Sequence, residues 1–182
     1  MRLFLYISIS FYFFISLLFA EETRQVDKHE HGVSELNIAI QSNTMVLEFM
    51  IPGADIVGFE YEAKSEQDKA TVSAALTKFD DYNNIFIIPI NSKCLLVSSK
   101  ININQEDDHD DHDEHQEEAH NEFYAKYTFE CGDIKSLDLL EFPYFETFSN
   151  YGELEVQFVS EIGSTSFEVE ADSPIINIEG KI

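Results

Sequence analysis

The six histidines of this chain fall in two clusters, and none lies in the apolar remainder of the sequence. His29 and His31 stand in the sequence KHEHG near the N-terminus, and the other four stand in the run QEDDHDDHDEHQEEAHN at 105–121. These four are His109, His112, His115 and His120. The run also holds nine carboxylates and has no lysine, arginine or large apolar side chain. Imidazole nitrogens interleaved with carboxylate oxygens suit divalent cations of borderline softness, so the pattern predicts metal binding, with Zn²⁺ the commonest such partner.

The spacing of the histidines indicates two kinds of metal site. In an extended segment, His29 and His31 leave the same face, so the two imidazoles can bind one ion together with a carboxylate, a water or a distant residue. In the acidic run, three histidines recur every three residues, and one helical turn would bring two neighbours to a shared ion. The unliganded run is too charged to hold a helix. We therefore expect metal to order it, at a cost in affinity.

The acidic run has too little apolar surface to offset the entropy of ordering, so the sequence predicts a mobile loop at 105–121. One alternative is an acidic spacer in which histidine is incidental. Another is a weak calcium loop in an exported structural or adhesion domain. Calcium sites use oxygen ligands and a glycine at the turn, whereas this run has no glycine and a histidine every few residues. Affinity alone favours Cu²⁺ over Zn²⁺ at such sites, so Cu²⁺ and Ni²⁺ remain alternatives.

The first twenty residues have the features of an export signal. One positive charge, Arg2, precedes an apolar run that ends at the small residue Ala20, before two glutamates. This pattern predicts a secretory signal peptide at 1–20, cleaved after Ala20, with an uncleaved membrane anchor as the alternative. No second apolar segment of that length follows, so we expect no membrane span after cleavage. The mature part, 21–182, has the length of a single domain.

The charge of the chain excludes some partners and favours others. The formal net charge is −24, and loss of Arg2 with the signal peptide makes it −25, from 10 basic and 35 acidic residues. Nucleic acid is a poor partner for such a surface, whereas cations are natural ones. The sequence contains no GxSxG, HExxH or phosphate-binding loop, which predicts a non-enzymatic protein. A hydrolytic metalloenzyme is the alternative, since its open metal position and base in a cleft leave no mark in a sequence.

Alternating apolar residues predict a mainly β fold. Leu36, Ile38 and Ile40 alternate with polar residues, and Ser42-Asn43 separates them from a second alternating strand that ends at Pro52, which indicates a hairpin. A helix is predicted over roughly 64 to 79, with Ser65 as N-cap. Short strands dominate the rest. We expect an antiparallel sandwich or curled sheet with one main helix, core-filling Phe142, Phe145 and Phe148, and a disordered acidic hairpin loop.

The two cysteines connect the fold to the acidic run. Cys94 and Cys131 stand in an exported chain, where a disulfide is the default over a thiolate metal site. If their strands pair antiparallel with the cysteines opposite each other, the numbers of paired residues sum to 225. This register pairs Leu96 with Phe129, Ser98 with Tyr127, and Ile103 with Glu122. The acidic run begins where these strands end. The register therefore predicts a disulfide at the base of a long hairpin and the histidines at its tip.

The order of these motifs resembles that of a known family. HEHG, a hairpin ending in proline, the stretch DIVGFE at 55–60, a His/Asp/Glu-rich insert between two cysteines and a strand-rich end are similar to the ZrgA-type periplasmic zinc uptake proteins. The resemblance covers essentially the whole mature chain. It implies an exported zinc-binding protein that helps bacteria acquire scarce zinc, with the N-terminal and insert histidines as ligands. We accordingly expect a periplasmic location. The expected partner is an inner-membrane zinc transporter or its binding protein.

Overall fold

The structure is a computed structural model that describes residues 32–105 and 121–182. Eight strands and three α-helices are found among these residues, together with short 3₁₀ turns. The strands are β1 (Val33–Gln41), β2 (Thr44–Pro52), β3 (Cys94–Gln105), β4 (Asn121–Cys131), β5 (Leu139–Glu141), β6 (Glu153–Ser160), β7 (Gly163–Val169) and β8 (Ile175–Asn177). The helices are α1 (Gly53–Val57), α2 (Glu66–Asp80) and α3 (Tyr144–Thr147).

Six strands form the main sheet in the order β3-β4-β2-β1-β6-β7, and β5 pairs with β8 in a separate ribbon. The predicted hairpin of β1 and β2 is present, with Gln41 opposite Thr44 and with Ser42 at a φ of 54° in the turn. Neighbouring strands run antiparallel except β1 and β6, which are parallel, with Val33 opposite Glu153. The fold is therefore mainly antiparallel, as the sequence predicted.

One face of the main sheet is buried, because buried and more exposed side chains alternate along its central strands. In β1, Leu36, Ile38 and Ile40 are buried, and the residues between them, Asn37 and Ala39, are exposed. In β4, the buried residues include Phe123 and Tyr127. Strands with this period of two turn every second side chain to one face, where the core forms.

The core is covered by helix, ribbon and aromatic segments. Helix α2 begins after Ser65, whose Oγ accepts a hydrogen bond from the Asp68 N–H at 3.1 Å, so the predicted cap is confirmed. Phe79 near its end stacks on Phe123 and Phe148 with ring centroids 6.0 and 5.1 Å apart. The phenylalanines predicted to fill the core, Phe142, Phe145 and Phe148, are all buried. These contacts confirm a mainly β domain with one main helix, consistent with a β sandwich.

The β3–β4 hairpin confirms the predicted disulfide and corrects the predicted register. Cys94 and Cys131 are opposite each other and bonded, with their Cα atoms 3.8 Å apart. In the chain-entropy model a bridge over 37 residues contributes about 4 kcal/mol to stability. The predicted register, in which the numbers of paired residues sum to 225, is wrong beyond Leu96, because a β-bulge lies between Leu96 and Ser98.

The bulge has a reason in the apolar pattern of β3. Beyond it, Ser98 lies opposite Thr128 rather than Tyr127, and Ile103 lies opposite Phe123 rather than Glu122. Cys94 is an even-numbered position whereas Ile101 and Ile103 are odd-numbered, so in a strictly alternating strand without an extra residue their side chains would lie on opposite faces. With the bulge, Cys94, Ile101 and Ile103 all pack against the core.

Candidate metal centre

The six histidines predicted as metal ligands lie outside the described residues. They are His29, His31, His109, His112, His115 and His120. Their roles stay predictions, and the predicted signal peptide at 1–20 also lies outside the described part. Within 32–105 and 121–182, no three His, Cys, Asp or Glu side chains are grouped to hold a metal ion. The residues that flank both histidine clusters are described, and they show where each cluster joins the fold.

Both histidine clusters join the same end of the main sheet. This end, which we call the upper end, comprises Gly32, Pro52, Gln105, Asn121 and Glu153. Gly32 follows His31 directly and leads into β1, while Asn121 follows His120 directly and begins β4. Strand β2 lies between β1 and β4. Since neighbouring strands are about 4.8 Å apart, β1 and β4 start about 10 Å from each other.

The predicted loop boundaries shift by one residue at each side. Gln105 and Asn121 form the last pair of the β3–β4 ladder, so both belong to strands rather than to the loop. Asn121 is 3% exposed, and its backbone N–H donates to the Glu60 carbonyl at 2.7 Å. Its side-chain amide donates to the Tyr61 carbonyl. The segment after α1, which includes the last three residues of the DIVGFE stretch, therefore holds the start of β4 in place.

The glycine of HEHG anchors the other attachment point. Gly32 has a φ of 84°, a left-handed conformation that glycine adopts without strain. Its carbonyl accepts the Glu153 N–H at 2.8 Å. A Cβ atom on Gly152 would lie 1.7 Å from the Gly32 oxygen, so only glycine permits this backbone contact. The residue that follows His31 is thus fixed against the start of β6.

A buried polar network lies beside this anchor, and sequence reasoning missed it. Ser34 Oγ donates to Asp55 Oδ2 at 3.1 Å, and the Tyr144 hydroxyl lies 3.0 Å from the same Oγ. Their exposed fractions are 0%, 3% and 0%. Because the Ser34 proton is committed to Asp55, the Tyr144 hydroxyl donates to Ser34. The sequence did indicate that Ser34 is buried, because it occupies the same alternate positions of β1 as the inward-facing Leu36.

The surroundings of Tyr144 change the pKa of its hydroxyl. Burial raises the pKa of Tyr144 far above its ordinary value, the hydrogen bond with Ser34 lowers it, and the negative charge of Asp55 raises it. A tyrosine is neutral at physiological pH even at its ordinary pKa of about 10, so the hydroxyl is available as a hydrogen-bond donor to Ser34.

Carboxylates also surround the upper end. Asp55 contacts Ser34, and Glu60 directly precedes Tyr61, whose carbonyl accepts from the Asn121 side chain. Glu122 lies opposite Pro52, and Glu153 lies opposite Val33. All four acidic residues have interaction partners. Asp55 is buried, whereas the other three carboxylates are partly exposed and can attract cations.

The fold and its upper end define a β domain that presents two histidine-bearing segments at one end of a sheet. Residues 28–178 match the family described as ZrgA family zinc uptake protein. The chain belongs to this family, and the resemblance seen in the sequence is confirmed. The matched region begins one residue before His29 and spans the whole acidic run. A comparison with curated proteins finds no match.

Family membership supports the coarse function and leaves the details open to proposal. It supports a role in zinc uptake, with zinc as the metal concerned, and it suggests an exported protein. In the part of the chain that the structure describes, no helix is long and apolar enough to cross a bilayer.

Proposed function

We propose that this is a non-enzymatic, periplasmic zinc-binding protein that captures Zn²⁺ and passes it to an uptake system. The observation that carries the proposal is that the strands which directly follow the two histidine clusters, β1 and β4, both begin at the upper end of the sheet, about 10 Å apart by strand spacing. Convergence at one end allows an ion captured by one cluster to reach the other. The ligands in this proposal are His29, His31, His109, His112, His115 and His120.

The two clusters have different tasks in this proposal. The acidic run, with nine carboxylates and four histidines, raises the local concentration of cations and captures Zn²⁺ weakly. The His29 and His31 pair holds Zn²⁺ more tightly, because the chain directly after it is fixed by the Gly32–Glu153 hydrogen bond. Binding at an anchored segment loses less conformational entropy than binding at a long charged run.

The delivery partner in this proposal is an inner-membrane zinc transporter or its binding protein. A strongly acidic carrier would keep its cargo exchangeable, since capture by carboxylates and single imidazoles is weaker than capture by a closed four-ligand site. Zinc is thus the cargo of the protein rather than a structural ion, and the body is expected to fold without it.

The test is a titration of the metal-free protein with Zn²⁺ against a competing chelator. We expect more than one bound ion and a tight site that is lost in the double variant His29→Ala/His31→Ala. Glu30→Ala is the matched control, because the middle side chain of an extended HxH segment points to the other face. Unchanged tight binding in the double variant would contradict the proposed N-terminal site.

The pH dependence of binding separates histidine from carboxylate ligands. An imidazole must be neutral to bind zinc, and its reference pKa is about 6.5, whereas carboxylates stay ionised down to about pH 4. Zinc affinity should therefore fall steeply as the pH drops from about 7.5 to about 5.5, with protons released on binding at the lower pH. A flat profile, or displacement of zinc by millimolar calcium, would favour the calcium-loop alternative. Parallel titrations with Cu²⁺ and Ni²⁺ measure selectivity.

A further inference from the structure

The buried network of Ser34, Asp55 and Tyr144 joins three elements next to the N-terminal histidine pair. Ser34 is the second residue of β1, Asp55 lies in α1 and Tyr144 begins α3. The hydrogen bonds of 3.1 and 3.0 Å tie these elements together in the interior. Ser34 stands three positions after His31 in the sequence. The network is thus the buried structure nearest in sequence to the proposed tight site.

We propose that Ser34, Asp55 and Tyr144 are positioning residues for zinc binding by His29 and His31. This inference rests on the proposed function of that pair. The network fixes the start of β1, the strand that follows the histidine-bearing segment with only Gly32 between them. It acts through Ser34 and the β1 backbone and does not contact the metal itself.

Burial of these polar groups is hard to explain by stability alone. The other inward positions of β1 are Leu36, Ile38 and Ile40, all almost fully buried. Apolar residues at 34, 55 and 144 together would continue this pattern without desolvating a carboxylate and two hydroxyls. Fully paired buried polar groups instead specify one arrangement of the elements that they join. A specified strand start is useful where ligands leave the fold directly before it.

Few backbone residues separate Ser34 from the proposed zinc ligands His29 and His31. The Gly32 carbonyl is held by the Glu153 N–H at 2.8 Å, and Val33 lies opposite Glu153. Gly32 and Ser34, on either side of Val33, are therefore both fixed, one to β6 and one to α1 and α3. A change at Ser34 displaces the strand start itself, with no long path to the proposed ligands.

The experiment measures zinc affinity of the exported full chain by chelator competition, and thermal stability without metal. Ser34→Ala and Tyr144→Phe should each weaken the tight site about tenfold, the lower range for residues that orient metal ligands. Matched controls remove the same groups elsewhere in the core. Ser92→Ala deletes a buried hydroxyl bonded to the Pro89 carbonyl at 2.6 Å, and Tyr127→Phe deletes one bonded to the Phe79 carbonyl at 2.6 Å.

The controls separate positioning from stability. All four variants should lower the melting temperature, but Ser92→Ala and Tyr127→Phe should leave zinc affinity unchanged. In the His29→Ala/His31→Ala background, Tyr144→Phe should have no further effect on zinc affinity. Equal zinc affinity in Tyr144→Phe, Ser34→Ala and the two controls would overturn the inference. If either Ser34→Ala or Tyr144→Phe fails to fold, the zinc affinity of the other variant tests the inference.

The histidine double variant shows which proposal has failed. If it binds zinc as tightly as the parent protein, the proposed N-terminal site is wrong and the inference falls with it. If it loses the tight site while Ser34→Ala and Tyr144→Phe keep it, only the positioning role is wrong.

Discussion

Gly152 and Gly32 make a close backbone contact at the upper end of the sheet. The contact allows the Gly32 carbonyl to accept from Glu153 and lets β1 and β6 begin side by side in parallel. The two glycines serve different needs, because Gly32 has a positive φ and open space around its Cβ position, whereas Gly152 lacks the space. Local conformation explains one glycine and tertiary contact explains the other.

This difference predicts unequal costs of substitution. Gly152→Ala places a Cβ 1.7 Å from a backbone oxygen that cannot move independently, so we expect a loss of about 3 kcal/mol in the free energy of unfolding. Gly32→Ala meets only the strain of a left-handed alanine, roughly 1 to 2 kcal/mol. Urea denaturation of both variants measures the two losses. A smaller loss for Gly152→Ala than for Gly32→Ala would contradict the contact.

At the scale of elements, the β3–β4 hairpin is closed by the disulfide at one end and reaches the upper end of the sheet at the other. The disulfide closes the hairpin at Cys94 and Cys131, and the ladder continues to Gln105 and Asn121. Asn121 is held by the Glu60 and Tyr61 carbonyls. Contacts among the described residues therefore fix the strands at both ends, so an insert can be carried between them without opening the hairpin.

Replacing 106–120 by an Asn-Gly turn should leave a folded protein with fewer bound zinc ions. The tight site should persist, because His29 and His31 remain and the upper end is intact. The matched control removes 105–121 instead, and loss of the buried Asn121 hydrogen bonds should cost about 1 to 3 kcal/mol. Zinc stoichiometry and urea denaturation are the measurements. Loss of the tight site in the 106–120 replacement would show that insert histidines complete it.

At the scale of the whole molecule, negative charge opposes folding. The mature part is predicted to carry 35 acidic and 10 basic residues, and such an excess repels itself in the compact state. Ion pairs such as Lys64–Glu62 and Lys69–Glu66 are exposed and offset little of this repulsion. The domain therefore relies on its apolar core and disulfide, and it gains attraction for divalent cations at a cost in stability.

Salt should stabilise the metal-free protein. Raising the ionic strength from about 10 mM to about 150 mM shortens the screening length from about 30 Å to about 8 Å, which weakens repulsion between carboxylates. We expect the melting temperature, followed by circular dichroism with chelator present, to rise by several degrees. The rise should be smaller in the 106–120 replacement, which lacks nine carboxylates. A melting temperature that falls with salt would contradict net repulsion.

The sequence by itself determined what depends on local pattern and residue chemistry. Alternation placed Leu36, Ile38 and Ile40 in the core, Ser65 marked the start of α2, and the paired cysteines indicated a hairpin closed by a disulfide. Each of these follows from neighbours along the chain or from one strong chemical preference. The histidine clusters were recognisable in the same way, because ligand type and spacing are visible in a sequence.

Only the tertiary structure decided how distant segments meet. The parallel pairing of β1 with β6, the bulge after Leu96, and the network of Ser34, Asp55 and Tyr144 join residues that are far apart in the chain. Such contacts depend on which strands become neighbours and on how side chains share the interior. The convergence of both histidine-bearing segments on one end follows from strand order. Strand order depends on how the whole core packs. It cannot be read from the spacing of residues within any one segment of the chain.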